Sequence, residues 1–318
     1  MTSRTWYRTM VALLTVALAI GLTACGSSKK SSSSSSGPSA PSGQPGKGKP
    51  AITLGAKNFT EEFILGQLYK QALEAKGFKV SLKNNIGSSE IIDKAITSGK
   101  VDAYPEYTGV IAQELTHSNT QAKSAQATYA KAKKFEEGRG LTVLDKSPGY
   151  DADVNVVKPA YAKKYGLKST ADLKKVGKFK FGAPPENKTR YQGIVGMRKV
   201  YGLNNAVFTP LAIGLRYQAL DSGKIDVAAG FTTEGQLVDK GKYQTLTDPK
   251  GVVGFQNIVL VANKKKLAKL GQGFTQTVNA VTAKLSNEAL QKMNGAVDLD
   301  KQKPADVAGK FLQANGLK

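Results

Sequence analysis

The stretch SGKVDAYPEYTG, Ser98 to Gly109, returns further along the chain as SGKIDVAAGFTTEG, Ser222 to Gly235. At one constant offset Ser98, Gly99, Lys100 and Asp102 coincide with Ser222, Gly223, Lys224 and Asp226, and Tyr107 and Thr108 with Phe231 and Thr232. A weaker match relates Gly55-Ala56 to Gly182-Ala183. The elements around the echo repeat in the same order. In the first half, apolar alternation predicts a strand over Ile52 to Ala56, and Thr60 to Lys76 reads as a helix with Phe63, Ile64, Gln67, Leu68 and Ala72 near one face. A strand at Lys79 to Leu82, a helix at Ser89 to Ser98 and a strand at Val101 to Tyr104 follow. The second half reads Phe179 to Ala183 strand, Tyr191 to Tyr201 helix, Val207 to Pro210 strand, Leu215 to Ser222 helix and Ile225 to Ala228 strand. Each half is a β-α-β-α-β unit, the seed of a parallel open sheet, and the repetition predicts duplicated lobes.

Gly254 to Lys318 completes the plan. Its apolar run Ile258 to Ala262 predicts a strand returning to the first lobe, followed by helices at Gly273 to Ser286 and Pro304 to Asn315. The chain then crosses between lobes twice, near Tyr150 to Val154 and Asp248 to Phe255, which makes a hinge. The expected division is 51–151 with 250–318 for lobe 1, and 152–249 for lobe 2.

Ligands of open α/β sheets bind beyond the carboxyl ends of the strands. Tyr107 and Phe231 each lie just past such an end, so two facing lobes are expected to bring these rings together across the cleft. Pro105 disfavours continued central-strand pairing and argues for a turn into the cleft there. Glu106 could orient a tyrosine hydroxyl or be solvated. Aromatic faces carry negative potential, and several of them around one point suit a quaternary ammonium, which has no hydrogen to donate. Arg190, in ENKTRYQG at a helix start, could grip a ligand carboxylate bidentately, with the helix N-terminus adding backbone donors. Asn58 and Thr60, in KNFTEE, are placed similarly in the first lobe, with N-capping the alternative for Thr60. Tyr217, in GLRYQAL, is open between core and cleft.

Composition narrows the chemistry. The chain has 318 residues, 40% hydrophobic, with a formal net charge of +22, but beyond the N-terminal region its only arginines are Arg139, Arg190, Arg198 and Arg216, none in a cluster with aromatics. That pattern fits a lysine-coated surface near an anionic membrane better than nucleic-acid binding. A single cysteine, Cys25, and a single histidine, His117, exclude thiolate metal sites, disulfide frameworks and any Ser-His-Asp triad without His117. His117, in ELTHSNT, reads as a surface residue at a helix end.

Residues 1–25 have the form of a secretory signal, with Arg4 and Arg8 before the short apolar run Met10 to Ile20. The run ends in Leu22-Thr23-Ala24-Cys25-Gly26, which resembles the bacterial lipobox and predicts lipidation of Cys25. Residues 26–50, rich in serine, glycine, proline and lysine, are expected to form a flexible tether.

Through KNFTEEFILGQL, NNIGSSEI, SGKVDAYPEYTG, the Arg190 to Leu203 segment and SGKIDVAAGFTTEG, the chain resembles the substrate-binding lipoproteins of ABC transporters for glycine betaine, choline and related compatible solutes. The resemblance implies a two-lobed periplasmic-binding-protein-like (type II) α/β fold, a monomer without cofactor or metal, anchored at the extracytoplasmic face of a bacterial membrane. It implies a permease and an ATPase as partners, since the chain carries no phosphate loop of its own. By motif, Tyr107, Arg190 and Phe231 take cage or anchor positions, Phe231 lacking the usual hydroxyl. Asp153 stands where relatives often carry a cage tyrosine, and an acid there favours a cation lacking a carboxylate. Tyr191 and Ile194 compete for the helix-start position. Thr108 and Thr232 complete the candidate set.

Two rivals bear on function. A transferase of the porphobilinogen-polymerising type would need a cofactor-bearing cysteine, and Cys25 is in the signal region. A sensory lipoprotein without transport, or a binding protein for a different small polar solute, would read alike in sequence.

Overall fold

The computed structural model describes residues 43–318; Cys25, the signal segment and most of the expected tether lie outside the described residues. Among the described residues ten strands form two five-stranded sheets. They are β1 (Ile52–Gly55), β2 (Val80–Lys83), β3 (Ala103–Tyr107), β4 (Leu141–Val143), β5 (Asp153–Val157), β6 (Phe179–Ala183), β7 (Ala206–Pro210), β8 (Val227–Phe231), β9 (Gln244–Leu246) and β10 (Ile258–Asn263). The orders are β2-β1-β3-β10-β4 and β7-β6-β8-β5-β9. In each sheet three parallel strands come from a β-α-β-α-β unit, and the fourth runs antiparallel. That fourth strand is the one the chain forms on crossing from the other lobe, β5 outward and β10 on return. β10 is buried along almost its whole length, and its sequence IVLVAN is accordingly apolar without alternation.

The echoed motif does the same work twice. Gly99 (φ +74°) and Gly223 (φ +70°) turn the chain out of a helix in the left-handed region, where a side chain would be strained. Asp102 then accepts the Thr53 N–H of β1 at 2.8 Å, and Asp226 accepts the Lys180 N–H of β6 at 2.7 Å. Each lobe thus locks its first and third strands with one carboxylate at the same place in the repeat.

Each lobe keeps its own core. In the first, Leu65, Leu68 and Tyr69 of the Thr60–Ala75 helix pack with Phe274, Val278 and Val281 of the Gln272–Thr282 helix and with Leu260 of β10. In the second, Phe179, Phe181, Met197, Leu203 and Val227 form the main cluster. The two crossovers run side by side, with Asp151 N–H bonded to Gln256 O at 3.0 Å and an antiparallel bridge between Tyr150 and Asn257.

Three expectations require correction. Pro105 does not end its strand: β3 continues to Tyr107, paired with β10. Thr108 N–H donates to Asn257, so by alternation position 105 faces the β1 side, where the ladder has already ended at the pair Leu54–Ala103. A proline there forfeits no bond. The Tyr191–Tyr201 helix is broken into a wide π-type turn, Tyr191–Val195, with non-helical backbone at Gly193, and an α-helix, Gly196–Tyr201. The end of the tether is docked, since the buried Gly46 donates to Lys76 O at 2.9 Å beside Phe78. The polar Ala125–Glu137 helix, the short strands β4 and β9 and the Asn287–Asp298 helix go unread in the sequence because their periodicity is weak or brief. No described helix is long and apolar enough to cross a membrane.

Candidate functional site

The carboxyl ends of β3 and β8 face each other over a narrow cleft of about 50 Å3. Tyr107 and Phe231 line it, but they do not meet directly. Phe59 lies between them, its ring centroid 6.3 Å from Tyr107 with planes 22° apart and 5.5 Å from Phe231 at 33°. Phe59 precedes the first lobe's first helix and caps its start, which corrects the N-capping reading of Thr60. Thr60 instead donates to Asp298 at 2.6 Å. The missed ring was within reach of the sequence, for it stands between Asn58 and Thr60 in KNFTEE.

Both outer rings carry an internal cation on one face. The Lys57 ammonium lies 4.4 Å from the Tyr107 centroid, and the Arg216 guanidinium 4.6 Å from that of Phe231. Lys57 is only 2% exposed and pairs with Glu106 and, at 3.4 Å, with Glu62. Glu106 is therefore neither solvated nor the orienter of a tyrosine hydroxyl. That orienter is Glu61, which accepts from Tyr107 Oη at 2.8 Å. Arg216 is fully buried, donating to Ile213 O and Ala229 O and pairing with Glu234.

Carboxylates border the rings. Asp151 and Asp153 line the cleft, and Asp153 lies opposite Phe231 in the β5–β8 register. Burial pushes the Asp153 carboxyl up to about 6, against the pull of Arg190 and Arg216. Burial likewise raises Asp151 and Glu61. A second, roomier compartment of about 340 Å3 shares Phe59 and Phe231 with the first and is bordered by Thr60, Glu61, Tyr217, Glu234 and Asn294.

Arg190 lines the cleft, gripping Glu90 of the first lobe bidentately at 2.8 and 2.9 Å. Although burial alone would raise it, the Arg190 hydrogen bonds and charge hold Glu90 down to about 2. The following N–H groups of Tyr191 and Gln192 donate to Glu114, also from the first lobe, at 3.2 and 2.9 Å. On the opposite rim Thr233 Oγ1 donates to Glu61 at 2.6 Å, and Gly235 lies so close to Gly295 that a Cβ would run into its backbone. The lobes therefore touch on both sides of the rings.

Of the remaining candidates, Asn58 borders both compartments. Tyr217 does two things: its ring packs against Tyr243 in the core, while its hydroxyl donates to Glu234 at 2.5 Å beside the second compartment. Tyr191 packs against the second lobe's core, where Ile194 is also buried, and neither lines the cleft. Thr108 and Thr232 hold the crossovers. Thr108 Oγ1 donates to Phe255 O and accepts from Asn257 N–H, and Thr232 Oγ1 accepts from Ala152 N–H at 2.9 Å. Among the described residues no His, Cys, Asp and Glu group is arranged to hold a metal ion.

Two α/β lobes joined by paired crossovers, with rings and charges from both on a shared cleft, define a two-lobed solute-binding protein. Residues 50–314 match the family described as the substrate binding domain of ABC-type glycine betaine transport system, and the chain belongs to that family. It is 30% identical to the glycine betaine-binding protein YehZ of Escherichia coli (strain K12), over 83% of this chain and 90% of the relative. It is also 30% identical to the carnitine transport binding protein OpuCC of Listeria monocytogenes, over 85% and 88% respectively. A crystal structure of a glycine betaine/carnitine/choline ABC transporter superposes with a TM-score of 0.67 at 26% identity, over 84% of this chain and 99% of that one.

Proposed function

We propose that the protein captures a quaternary ammonium solute of the glycine betaine and choline class between its lobes and hands it to an ABC permease driven by an ATPase. The observation that carries this is the row of three rings, Tyr107, Phe59 and Phe231, set across the lobe boundary with Asp151 and Asp153 beside it. Aromatic faces and anionic edges suit a cation that cannot donate a hydrogen bond. The protein works as a monomer at the extracytoplasmic face of the membrane, held by lipid on Cys25, and carries its ligand through unchanged. Asn58, Asp151 and Asp153 are the polar groups offered to the guest beside the rings, with Tyr217 on the adjoining compartment.

Calorimetric titration of the full-length protein with glycine betaine, choline and carnitine, and with the neutral tert-butyl isostere of choline, tests this reading. A cation is expected to bind and the isostere not. Phe59→Ala removes the shared ring and, at about 2 kcal/mol for a desolvated contact, is expected to weaken binding by ~30-fold. Equal binding of the isostere, or an unchanged affinity in Phe59→Ala, would remove the rings from the mechanism.

Acidification provides a separate check. A bound cation favours the ionised form of Asp153, whose carboxyl titrates at about 6. Affinity is therefore expected to hold above that pH and to fall as pH drops through it, by up to about tenfold per unit if one proton is taken up. In Asp153→Asn the fall over that interval should largely disappear.

A further inference from the structure

Three groups around the cleft are suited to hold a carboxylate, and the protein's own carboxylates occupy all three. Arg190, a planar donor fork, is filled bidentately by Glu90. Behind Arg190, the backbone N–H groups of Tyr191 and Gln192 in the wide turn that follows it are filled by both oxygens of Glu114. Lys57, the other cation bordering the cleft, is committed to Glu106 and Glu62. The remaining charged groups on the lining, Asp151, Asp153 and Glu186, are acids.

From this arrangement we infer that Glu90 is a specificity-determining residue: it holds Arg190 in place of a ligand carboxylate, so the preferred guest is a quaternary cation with a neutral or hydroxyl tail. The inference rests on the quaternary-ammonium reading above and narrows it. A betaine would have to displace Glu90 from Arg190 and place its own carboxylate among acids. A hydroxyl-tailed cation leaves the pair intact and can donate to those acids.

Glu90 is well placed for this role. It sits in the first turn of the Ser89–Thr97 helix, where the dipole favours a negative charge, and accepts from Ser88 Oγ at 2.5 Å. Its side chain is 38% exposed, but that of Arg190 is only 15% exposed, so Glu90 can leave only if another carboxylate takes its place on the guanidinium. Glu114 and Glu106 lack that freedom, being nearly or fully buried.

The test compares choline with glycine betaine by calorimetry on the full-length protein and on Glu90→Gln, which keeps the size of the side chain and removes its charge. In the unaltered protein choline is expected to bind at least tenfold more tightly. In Glu90→Gln the affinity for glycine betaine is expected to rise by tenfold or more while that for choline changes by less than threefold, with a lower melting temperature because Arg190 loses its charged partner. A shift of both affinities together would mean that Glu90 only latches the lobes, and a wild-type preference for glycine betaine would overturn the proposal outright. If neither cation bound either chain, the quaternary-ammonium reading itself would fall and take this inference with it. Preserved binding with no change in the ratio would overturn this inference alone.

Discussion

Replacing Lys57 by Met is expected to cost about 3–5 kcal/mol of stability, a large share of the 5–15 kcal/mol typical of a folded domain. Lys57 and its partners Glu62 and Glu106 are at most 2% exposed, so its removal leaves Glu106 in the interior without a counter-charge. Burial pushes Glu62 up to about 8, with Lys57 pulling the other way, so near neutral pH that carboxyl is largely protonated. Urea denaturation of Lys57→Met should show the loss, and Lys57→Met with Glu106→Gln should recover much of it by removing the stranded charge. If single and double variants were equally unstable, lost packing rather than charge would be the cause. The melting temperature should fall by roughly 10 °C, at about 2–4 °C per kcal/mol for a chain of a few hundred residues.

Arg216→Met is expected to have a similar effect, about 3–5 kcal/mol, for a related reason. The guanidinium is fully buried, satisfies two backbone carbonyls, pairs with Glu234 and lies on the Phe231 ring. Without it Glu234 keeps only the Tyr217 hydroxyl, at 2.5 Å, and the Phe231 N–H, at 3.0 Å. Arg216→Lys keeps the charge but not the fork, and should lie between Met and the native residue. Because Arg216 backs Phe231, both variants should also weaken cation binding. A near-native denaturation midpoint in Arg216→Met would show that the buried pair contributes little and that Phe231 is held by packing alone.

The two charged centres hold opposite ends of the row of rings. Lys57 fixes Tyr107 from the first lobe and Arg216 fixes Phe231 from the second, with Phe59 between them. The rings are thereby preorganised, so less ordering entropy remains to be lost when a guest arrives.

The echo of SGKVDAYPEYTG in SGKIDVAAGFTTEG, with the periodicities around it, determined by itself that there are two lobes, each with three strands from one repeating unit, and that the chain crosses between them twice. Those features depend on turn residues and apolar spacing among near neighbours, which act locally and leave a legible pattern. Tyr107, Phe231, Asn58 and Arg190 were also readable as cleft candidates, because strand ends and helix starts are places the pattern marks, whereas Asp153 came only from the family resemblance. Only the tertiary structure decided what those residues do. Phe59 separates the two rings, Thr108 and Thr232 hold the crossovers, Tyr191 turns inward to the core, and Arg190 meets Glu90, a partner 100 residues away. Charge pairing across a cleft depends on how two independently folded lobes approach, and no local spacing in either one encodes that approach.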